Sequence, residues 1–132
     1  MQQQGTTVLV VEDSPMFRRM LSDMLQSLGY TRVLEAFSGQ AAKELLAEQC
    51  PDLVCLDLTL PDISGYEVCE HIRATPALQN VPVLMISARS QTMDRAQAEE
   101  AGATGYLIKP FTPEELRLQV ERVMAARPRK EA

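Results

Sequence analysis

Two kinds of segment alternate along the chain: short, nearly continuous apolar runs, and longer stretches whose apolar residues recur at helical spacing. The apolar runs lie at residues 8–11, 53–56, 81–86 and 106–108, with a weaker run at 33–37 that Glu35 interrupts. Continuous apolar character is typical of strands that are covered on both faces, as in a parallel sheet. We therefore predict a parallel sheet in which residues 33–37 form an edge strand.

Each run is followed by a segment that predicts a helix. The first helix is expected to start after Ser14, which suits the N-cap, and to end at Gly29. Its apolar face comprises Phe17, Met20, Leu21, Met24, Leu25 and Leu28. A second helix follows Ser38, a third follows Ser64, and the last begins at Thr112 with a capping box.

The fourth predicted helix, at about residues 92–101, differs from the others. Its candidates for the buried face are only Met93, Ala96, Ala98 and Ala101. Alanine buries little apolar area, so this helix is expected to be weakly anchored. A weakly anchored element is one that a bound ligand can move.

The order of strand and helix, repeated five times, predicts a doubly wound α/β fold with right-handed crossovers. At 132 residues the chain has the length of about one domain. Its 45% hydrophobic and 23% charged residues are typical of a globular protein. We expect one domain over residues 1–126, followed by a short solvated tail or linker at 127–132.

The thirteen basic and eighteen acidic residues give a net charge of −5, which argues against direct binding of nucleic acid because that requires a clustered basic surface. The three cysteines lack CxxC spacing and indicate a reducing, intracellular setting. No segment approaches the roughly 18 uninterrupted apolar residues of a membrane span. Residues 1–5 lack the features of a signal peptide. We therefore expect a cytoplasmic protein without membrane association.

Polar residues that can carry chemistry stand at the carboxyl ends of the apolar runs. Glu12 and Asp13 follow the first run, Asp57 the third, Ser87 the fourth and Lys109 the fifth. In open α/β sheets the ligand binds beyond the carboxyl ends of the strands. We therefore expect three carboxylates, a hydroxyl and an ammonium to meet at one edge of the sheet.

Three neighbouring carboxylates repel each other unless a cation lies among them. Their oxygen atoms suit Mg²⁺, which binds one or two carboxylates together with waters and phosphate oxygens. A metal and an ammonium without histidine suit phosphoryl transfer, in which an aspartate can accept the phosphoryl group. Asp57 has no adjacent acidic neighbour in the sequence. We therefore predict Asp57 as the nucleophile, with Glu12 and Asp13 holding the metal.

Four segments around these residues resemble the receiver domains of two-component response regulators. They are VVEDS at 10–14, DLVCLDLTLPDISG at 52–65, ISA at 86–88 and GYLIKPF at 105–111. The resemblance covers about residues 6–126 and implies a flavodoxin-like fold. In that fold a five-stranded parallel sheet of order 2-1-3-4-5, as in CheY, has helices on both faces.

The resemblance implies a Mg²⁺-dependent phosphorylation switch. Asp57 would accept a phosphoryl group from the phosphohistidine of a histidine kinase or phosphotransfer protein. The resemblance further implies that Mg²⁺ is held by Asp13, by Asp57 and by the backbone carbonyl of Thr59, with Glu12 acting mostly through bound water. The domain would catalyse only its own phosphorylation and dephosphorylation, and would otherwise act as a signalling switch.

The same resemblance assigns roles to residues of the fourth and fifth strands. Ser87 and Lys109 would contact phosphoryl oxygens, and the bond between Lys109 and Pro110 is expected to be cis. Tyr106 would turn inward as Ser87 moves. That movement would change the surface formed by the fourth helix, fifth strand and fifth helix, to which a downstream protein binds.

The sequence departs from the commonest family pattern at two positions. Glu12 stands where aspartate is more usual, and Ser87 where threonine is more usual. Glu12 is one methylene longer, which alters the metal affinity or the water geometry. Thr59 and Arg89, two residues beyond the acceptor and the hydroxyl, are expected to set the lifetime of the phosphoryl group.

Three other functions fit the sequence less well. A phosphatase of the haloacid dehalogenase type needs a second acid two residues after the nucleophile, where this chain has Thr59. A flavodoxin-type carrier would place its phosphate beside Glu12 and Asp13, which would repel it. A binding module that is not phosphorylated would not need the complete set of polar residues. The cognate kinase, the downstream target, and the choice between a monomer and a phosphorylation-dependent dimer remain open.

Overall fold

The computed structural model describes residues 6–88 and 94–126, and these form one layered α/β unit. The elements in chain order are β1 (Thr7–Val11), α1 (Pro15–Ser27), β2 (Arg32–Ala36), α2 (Gly39–Leu46), β3 (Leu53–Asp57), α3 (Gly65–Ala74), a 3-10 turn (Pro76–Leu78), β4 (Val83–Ala88), α4 (Arg95–Ala101), β5 (Gly105–Lys109) and α5 (Pro113–Ala126).

The five strands form one parallel sheet of order β2-β1-β3-β4-β5. The predicted fold class and strand order are confirmed, and β2 lies at an edge as expected. The strand order reverses between β1 and β3, which opens a crevice at the carboxyl edge of the sheet. The acidic residues at the ends of these two strands therefore face the same crevice.

Both faces of the sheet are covered, which explains the continuous apolar runs. On one face α2, α3 and α4 pack against a core that includes Leu9, Leu56 and Met85. On the other face α1 and α5 pack against a core that includes Val10 and Ile86. Adjacent residues of one strand thus enter opposite cores, and each contributes about 1.5–3 kcal/mol through burial.

The predicted starts of the first, second, third and fifth helices are confirmed by their hydrogen bonds. The Ser14 and Ser38 hydroxyls accept from backbone N–H groups at the starts of α1 and α2, and the Ser64 hydroxyl does the same for α3. Thr112 and Glu115 form a reciprocal capping box at 2.9 and 3.0 Å. These bonds satisfy backbone donors that have no partner inside the helix.

Two predicted strand boundaries were wrong. The fourth strand spans Val83–Ala88 rather than residues 81–86, because Ser87 and Ala88 continue the pairing with β5. In the edge strand, pairing with β1 ends at Ala36, and Phe37 is 63% exposed. On α1, Met20 is also partly exposed rather than buried.

The fourth helix rests on alanines, as predicted, but it spans Arg95–Ala101 and begins after the N-cap Asp94 rather than at about residue 92. Within α4, Ala98 and Ala101 are buried, whereas Ala96 is exposed and does not belong to the buried face. Met93, Arg89 and residues 127–132 lie outside the described residues. In the described part of the chain, no helix is both long enough and apolar enough to cross a membrane.

Candidate functional site at the carboxyl edge of the sheet

The sheet brings the predicted polar residues to one edge. Glu12 and Asp13 directly follow β1, and Asp57 is the last residue of β3. Ser87 lies near the end of β4, and Lys109 is the last residue of β5. Because all five strands are parallel, their carboxyl ends share one edge, and these five residues gather there.

Lys109 joins the acids of β1 and β3. Its Nζ lies 3.1 Å from Glu12 Oε1 and 3.2 Å from Asp57 Oδ2. The side chain of Glu12 is 2% exposed and that of Asp57 is 6% exposed. Buried carboxylates require a partner of this kind, because an unpaired buried charge is strongly destabilising.

The loop after β1 holds Glu12 by its backbone and its side chain. The backbone N–H of Ser14 donates to Glu12 Oε2 at 2.9 Å. Arg18, one turn into α1, donates to the carbonyl oxygen of Glu12 at 2.8 Å and pairs with Glu35 of β2 at 3.1 Å. Ser22 donates to the second oxygen of Glu35. Arg18 was not predicted as part of this site, because a single arginine on a helix carries no signal of its partners.

Burial raises the pKa of Glu12 to about 7, and the hydrogen bond with Asp57 and its negative charge act in the same direction. The bonds from Ser14 and Lys109 oppose that rise. Burial alone would lower the pKa of Lys109, but the adjacent charges of Asp57 and Glu12 raise it overall. Three carboxyl groups share one ammonium, so the acidic cluster keeps an excess of negative charge.

Asp13 completes a group that could hold a metal ion. Ligand oxygens of Glu12, Asp13 and Asp57 all lie within 4.8 Å of one another. Asp13 is exposed, whereas the other two are buried, so one side of the cluster is open to solvent. Hard oxygen ligands with room for waters are what Mg²⁺ prefers. The donor set therefore fits Mg²⁺ in charge and chemistry.

The loop after β3 orients the Asp57 carboxylate. The backbone N–H of Thr59 donates to Asp57 Oδ1 at 3.1 Å, while Lys109 holds Oδ2. Ser87 is fully buried, and its hydroxyl donates to the carbonyl oxygen of Ala88 at 3.3 Å. Ser87 lies one residue beyond Ile86, the register partner of Asp57, so the hydroxyl and the carboxylate belong to adjacent strands.

Tyr106 lies further from the acids, on β5 beside α4. Its ring is half-buried, and the guanidinium carbon of Arg95 lies 5.5 Å from the ring centroid. Burial raises the pKa of Tyr106, as do the hydrogen bond with Glu99 and its charge. Tyr106 is thus tied to α4 by two of its residues. The bond between Lys109 and Pro110 is cis, as expected.

Aromatic residues border the ammonium of Lys109 on the side of α1. The Nζ of Lys109 lies 4.3 Å from the ring centroid of Phe17. The rings of Phe17 and Phe111 meet edge to face at 5.6 Å. Phe17 was predicted only as part of the apolar face of the first helix. Its contact with Lys109 was not predicted, because it depends on β5 and α1 meeting in space.

The doubly wound α/β fold thus carries a lysine and an acidic cluster that could hold a metal ion at its switch point. Comparison with known proteins gives the family. Residues 8–121 match the family model described as the response regulator receiver domain. The chain belongs to this family, and the resemblance inferred from the sequence is confirmed.

Three relatives illustrate the match. The chemotaxis response regulator CheY4 of Vibrio cholerae is 33% identical with a TM-score of 0.81, over 89% of this chain and 98% of that one. The receiver domain of sensor histidine kinase PA1611 from Pseudomonas aeruginosa, solved with a magnesium ion in its active site cleft, is 34% identical with a TM-score of 0.82, over 92% and 99%. The DNA-binding regulator RpaA of Synechocystis is 35% identical over 89% of this chain and 48% of RpaA.

The chain spans about half the length of the curated relatives it matches. The match therefore concerns the receiver domain, and its family is that of phosphoacceptor signalling domains.

Proposed function

We propose that Asp57 is the phosphoacceptor and that the domain, residues 1–126, takes the phosphoryl group from the phosphohistidine of a histidine kinase or phosphotransfer protein. The observation that carries this proposal is the position of Asp57 between two fixed donors, the Thr59 N–H on Oδ1 and Lys109 on Oδ2. A carboxylate that is already oriented loses little rotamer freedom when it reacts, so the entropic cost of reaching the phosphorus atom is lower.

Glu12, Asp13 and Asp57 are proposed as the Mg²⁺ site, together with the backbone carbonyl of Thr59. Support comes from the close approach of the three carboxylates and from the excess negative charge that one lysine leaves. Asp13 and Asp57 would contact the metal directly, and Glu12 would hold its waters. When bound, Mg²⁺ supplies positive charge that offsets the negative charge of the transferring phosphoryl group.

Ser87 and Lys109 are proposed to bind the phosphoryl oxygens once Asp57 is modified. The Asp57 oxygen forms a bond to phosphorus as the bond from phosphorus to the donor imidazole nitrogen breaks. Lys109 then exchanges a carboxylate oxygen for a phosphoryl oxygen, and the Ser87 hydroxyl gives up its bond to Ala88. Lys109 keeps an anionic acceptor in this exchange, whereas the Ser87 hydroxyl replaces a neutral carbonyl acceptor with a charged phosphoryl oxygen, which gives a stronger hydrogen bond.

The proposed output is a change of the surface formed by α4, β5 and α5, which binds a downstream protein. Two features support this output: α4 buries only two alanines, and Tyr106 contacts both Arg95 and Glu99 of that helix. A movement of Ser87 would reach α4 through Tyr106. Few buried contacts make an element easy to displace.

The proposal is tested by intact-mass measurement after incubation with acetyl phosphate, with Mg²⁺ or with EDTA. Wild-type protein is expected to gain one phosphoryl group with Mg²⁺ and none with EDTA. The nearly isosteric Asp57→Asn variant is expected to gain none while keeping the wild-type circular dichroism spectrum.

Asp52→Asn is the matched control, because Asp52 lies at the opposite end of β3 and accepts a bond from the Thr7 N–H at 2.8 Å. It is expected to be phosphorylated as the wild type is. If Asp57→Asn gained the same adduct as Asp52→Asn, the acceptor would be another residue and the proposal would be wrong.

A further inference from the structure

Lys109 has a third neighbour besides its two carboxylates. Its ammonium lies 4.3 Å from the ring centroid of Phe17, inside the distance of about 6 Å at which cation–π attraction is significant. The Lys109 side chain is 19% exposed, and attraction of this kind grows when the cation is partly desolvated.

The ring of Phe17 is itself held in place. Its backbone N–H donates to the N-cap hydroxyl of Ser14 at 3.3 Å, which fixes the residue in the first turn of α1. The edge-to-face contact with Phe111, at 5.6 Å and 84°, fixes the ring plane. Phe111 is buried. The aromatic face is therefore already in place beside the ammonium in the unphosphorylated protein.

We propose that Phe17 is a positioning residue that holds the Lys109 ammonium at the phosphoacceptor. This inference rests on the proposed role of Asp57. The chemistry of an aromatic face explains why phenylalanine suits the position. A carboxylate there would compete with the phosphoryl group for the ammonium, whereas an aliphatic side chain would not attract the charge. The ring stabilises the ammonium without taking one of its hydrogen bonds.

The contact with Phe17 lowers the entropic cost when Lys109 exchanges one hydrogen-bond acceptor for another. On phosphorylation the ammonium turns from a carboxylate oxygen to a phosphoryl oxygen, a short displacement that can leave it over the same ring. A side chain with four rotatable bonds otherwise loses rotamer freedom each time it is fixed. The ring supplies part of that ordering in advance, so its removal slows formation of the adduct.

The test compares Phe17→Leu with wild type and with Met24→Leu, a control on the same helix that is half-buried in the same core. The rate of phosphoryl adduct formation is measured by intact mass with acetyl phosphate at saturating Mg²⁺. We expect Phe17→Leu to lower the rate by about threefold to tenfold, and Met24→Leu to leave it unchanged. Because the rate is measured at saturating Mg²⁺, a difference in metal affinity between the variants does not enter the comparison.

A second pair of variants separates positioning from packing. In a Lys109→Ala background, Phe17→Leu is expected to cause no further loss of rate, because the ring has no ammonium to hold. An unchanged rate in Phe17→Leu alone would overturn the inference, as would an equal fractional loss with and without Lys109. Absence of any adduct on wild-type protein would instead overturn the proposed function, and the inference with it.

Discussion

The guanidinium of Arg73 donates a hydrogen bond of 2.9 Å to the carbonyl oxygen of Gly102, and so joins α3 to the C-terminal end of α4. The same group donates to the carbonyl oxygens of Gln79 and Val81 and to the hydroxyl of Thr104. Gly102 has φ 104°, and a Cβ there would lie 2.4 Å from Arg73 Cγ. Arg73 thus fixes one end of the helix that the proposed output requires to move.

Replacing Arg73 by methionine is expected to destabilise the fold. The aliphatic part of the side chain is retained, but four oxygen acceptors lose the hydrogen bond from Arg73, and the free energy of unfolding should fall by about 2–4 kcal/mol. Urea denaturation followed by circular dichroism measures this change. Arg122→Met, at an exposed position of α5, is the control and should alter stability by less than about 0.5 kcal/mol. Equal stabilities of the two variants would contradict the role of Arg73.

Lys109→Ala is expected to bind Mg²⁺ more tightly than wild type. The ammonium lies 3.1 and 3.2 Å from two of the acids that would hold the metal, and it repels a divalent cation. Its removal should lower the Mg²⁺ dissociation constant by at least about threefold, as measured by isothermal titration calorimetry. Without Mg²⁺ the variant should be less stable than wild type, because Glu12 and Asp57 remain buried without a cation.

The control for this effect is Lys43→Ala. Lys43 lies on α2, and its nearest acid is Glu67 at 4.0 Å. Its removal changes the net charge of the protein by the same amount as removal of Lys109 does. Tighter Mg²⁺ binding in both variants would assign the effect to overall charge rather than to the site.

The three cysteines are expected to differ in reactivity. Cys55 and Cys69 are buried, and burial raises the pKa of Cys55 to about 12 and that of Cys69 to about 11. These raised pKa values keep both cysteines protonated near neutral pH. They should therefore be unreactive, because the thiolate is the nucleophile. Cys50 is exposed. Ellman's reagent should therefore modify one thiol rapidly in the native protein and all three in denaturant.

A Cys50→Ser variant should lose the rapid reaction while the slow one remains. Rapid modification of a second thiol in the native protein would show that the core around β3 or α3 opens more readily than its burial indicates.

The sequence predicted which polar residues gather at the edge of the sheet, but not the contacts that orient them. Glu12, Asp57 and Lys109 stand at the ends of apolar runs, and a parallel sheet places all such ends at one edge. That placement follows from topology alone, so the cluster could be expected before any distance was known. The fold class and strand order followed from the same alternation of segments and from the family resemblance.

Topology and periodicity do not predict the contacts of Arg73, Arg18 and Phe17. The partners of Arg73 lie between six and 31 positions away along the chain, and Arg18 reaches Glu35 on another strand. The position of Phe17 matches the apolar face of α1, so the sequence predicts only an ordinary core residue there. Each contact depends on two elements meeting at a particular distance, which hydrophobic periodicity does not encode.

Gly65→Ala is expected to disturb the phosphoacceptor as well as the fold. A Cβ at this first residue of α3 would lie 2.5 Å from the carbonyl oxygen of Asp57 and 2.8 Å from Leu58 Cα. These backbone atoms belong to the acceptor residue and to the residue after it, so either α3 or the end of β3 must shift. We expect a loss of about 1–3 kcal/mol in stability and a weaker affinity for Mg²⁺, measured by denaturation and calorimetry.

The matched variant is Ser64→Ala, which removes the N-cap of the same helix without adding an atom near Asp57. Its hydroxyl accepts from the Glu67 N–H at 3.2 Å, and its loss should cost about 1 kcal/mol of stability. Mg²⁺ affinity in this variant is expected to stay at the wild-type value. If Gly65→Ala also kept that affinity while losing stability, the close approach of α3 to Asp57 would matter for folding alone and not for the geometry of the site.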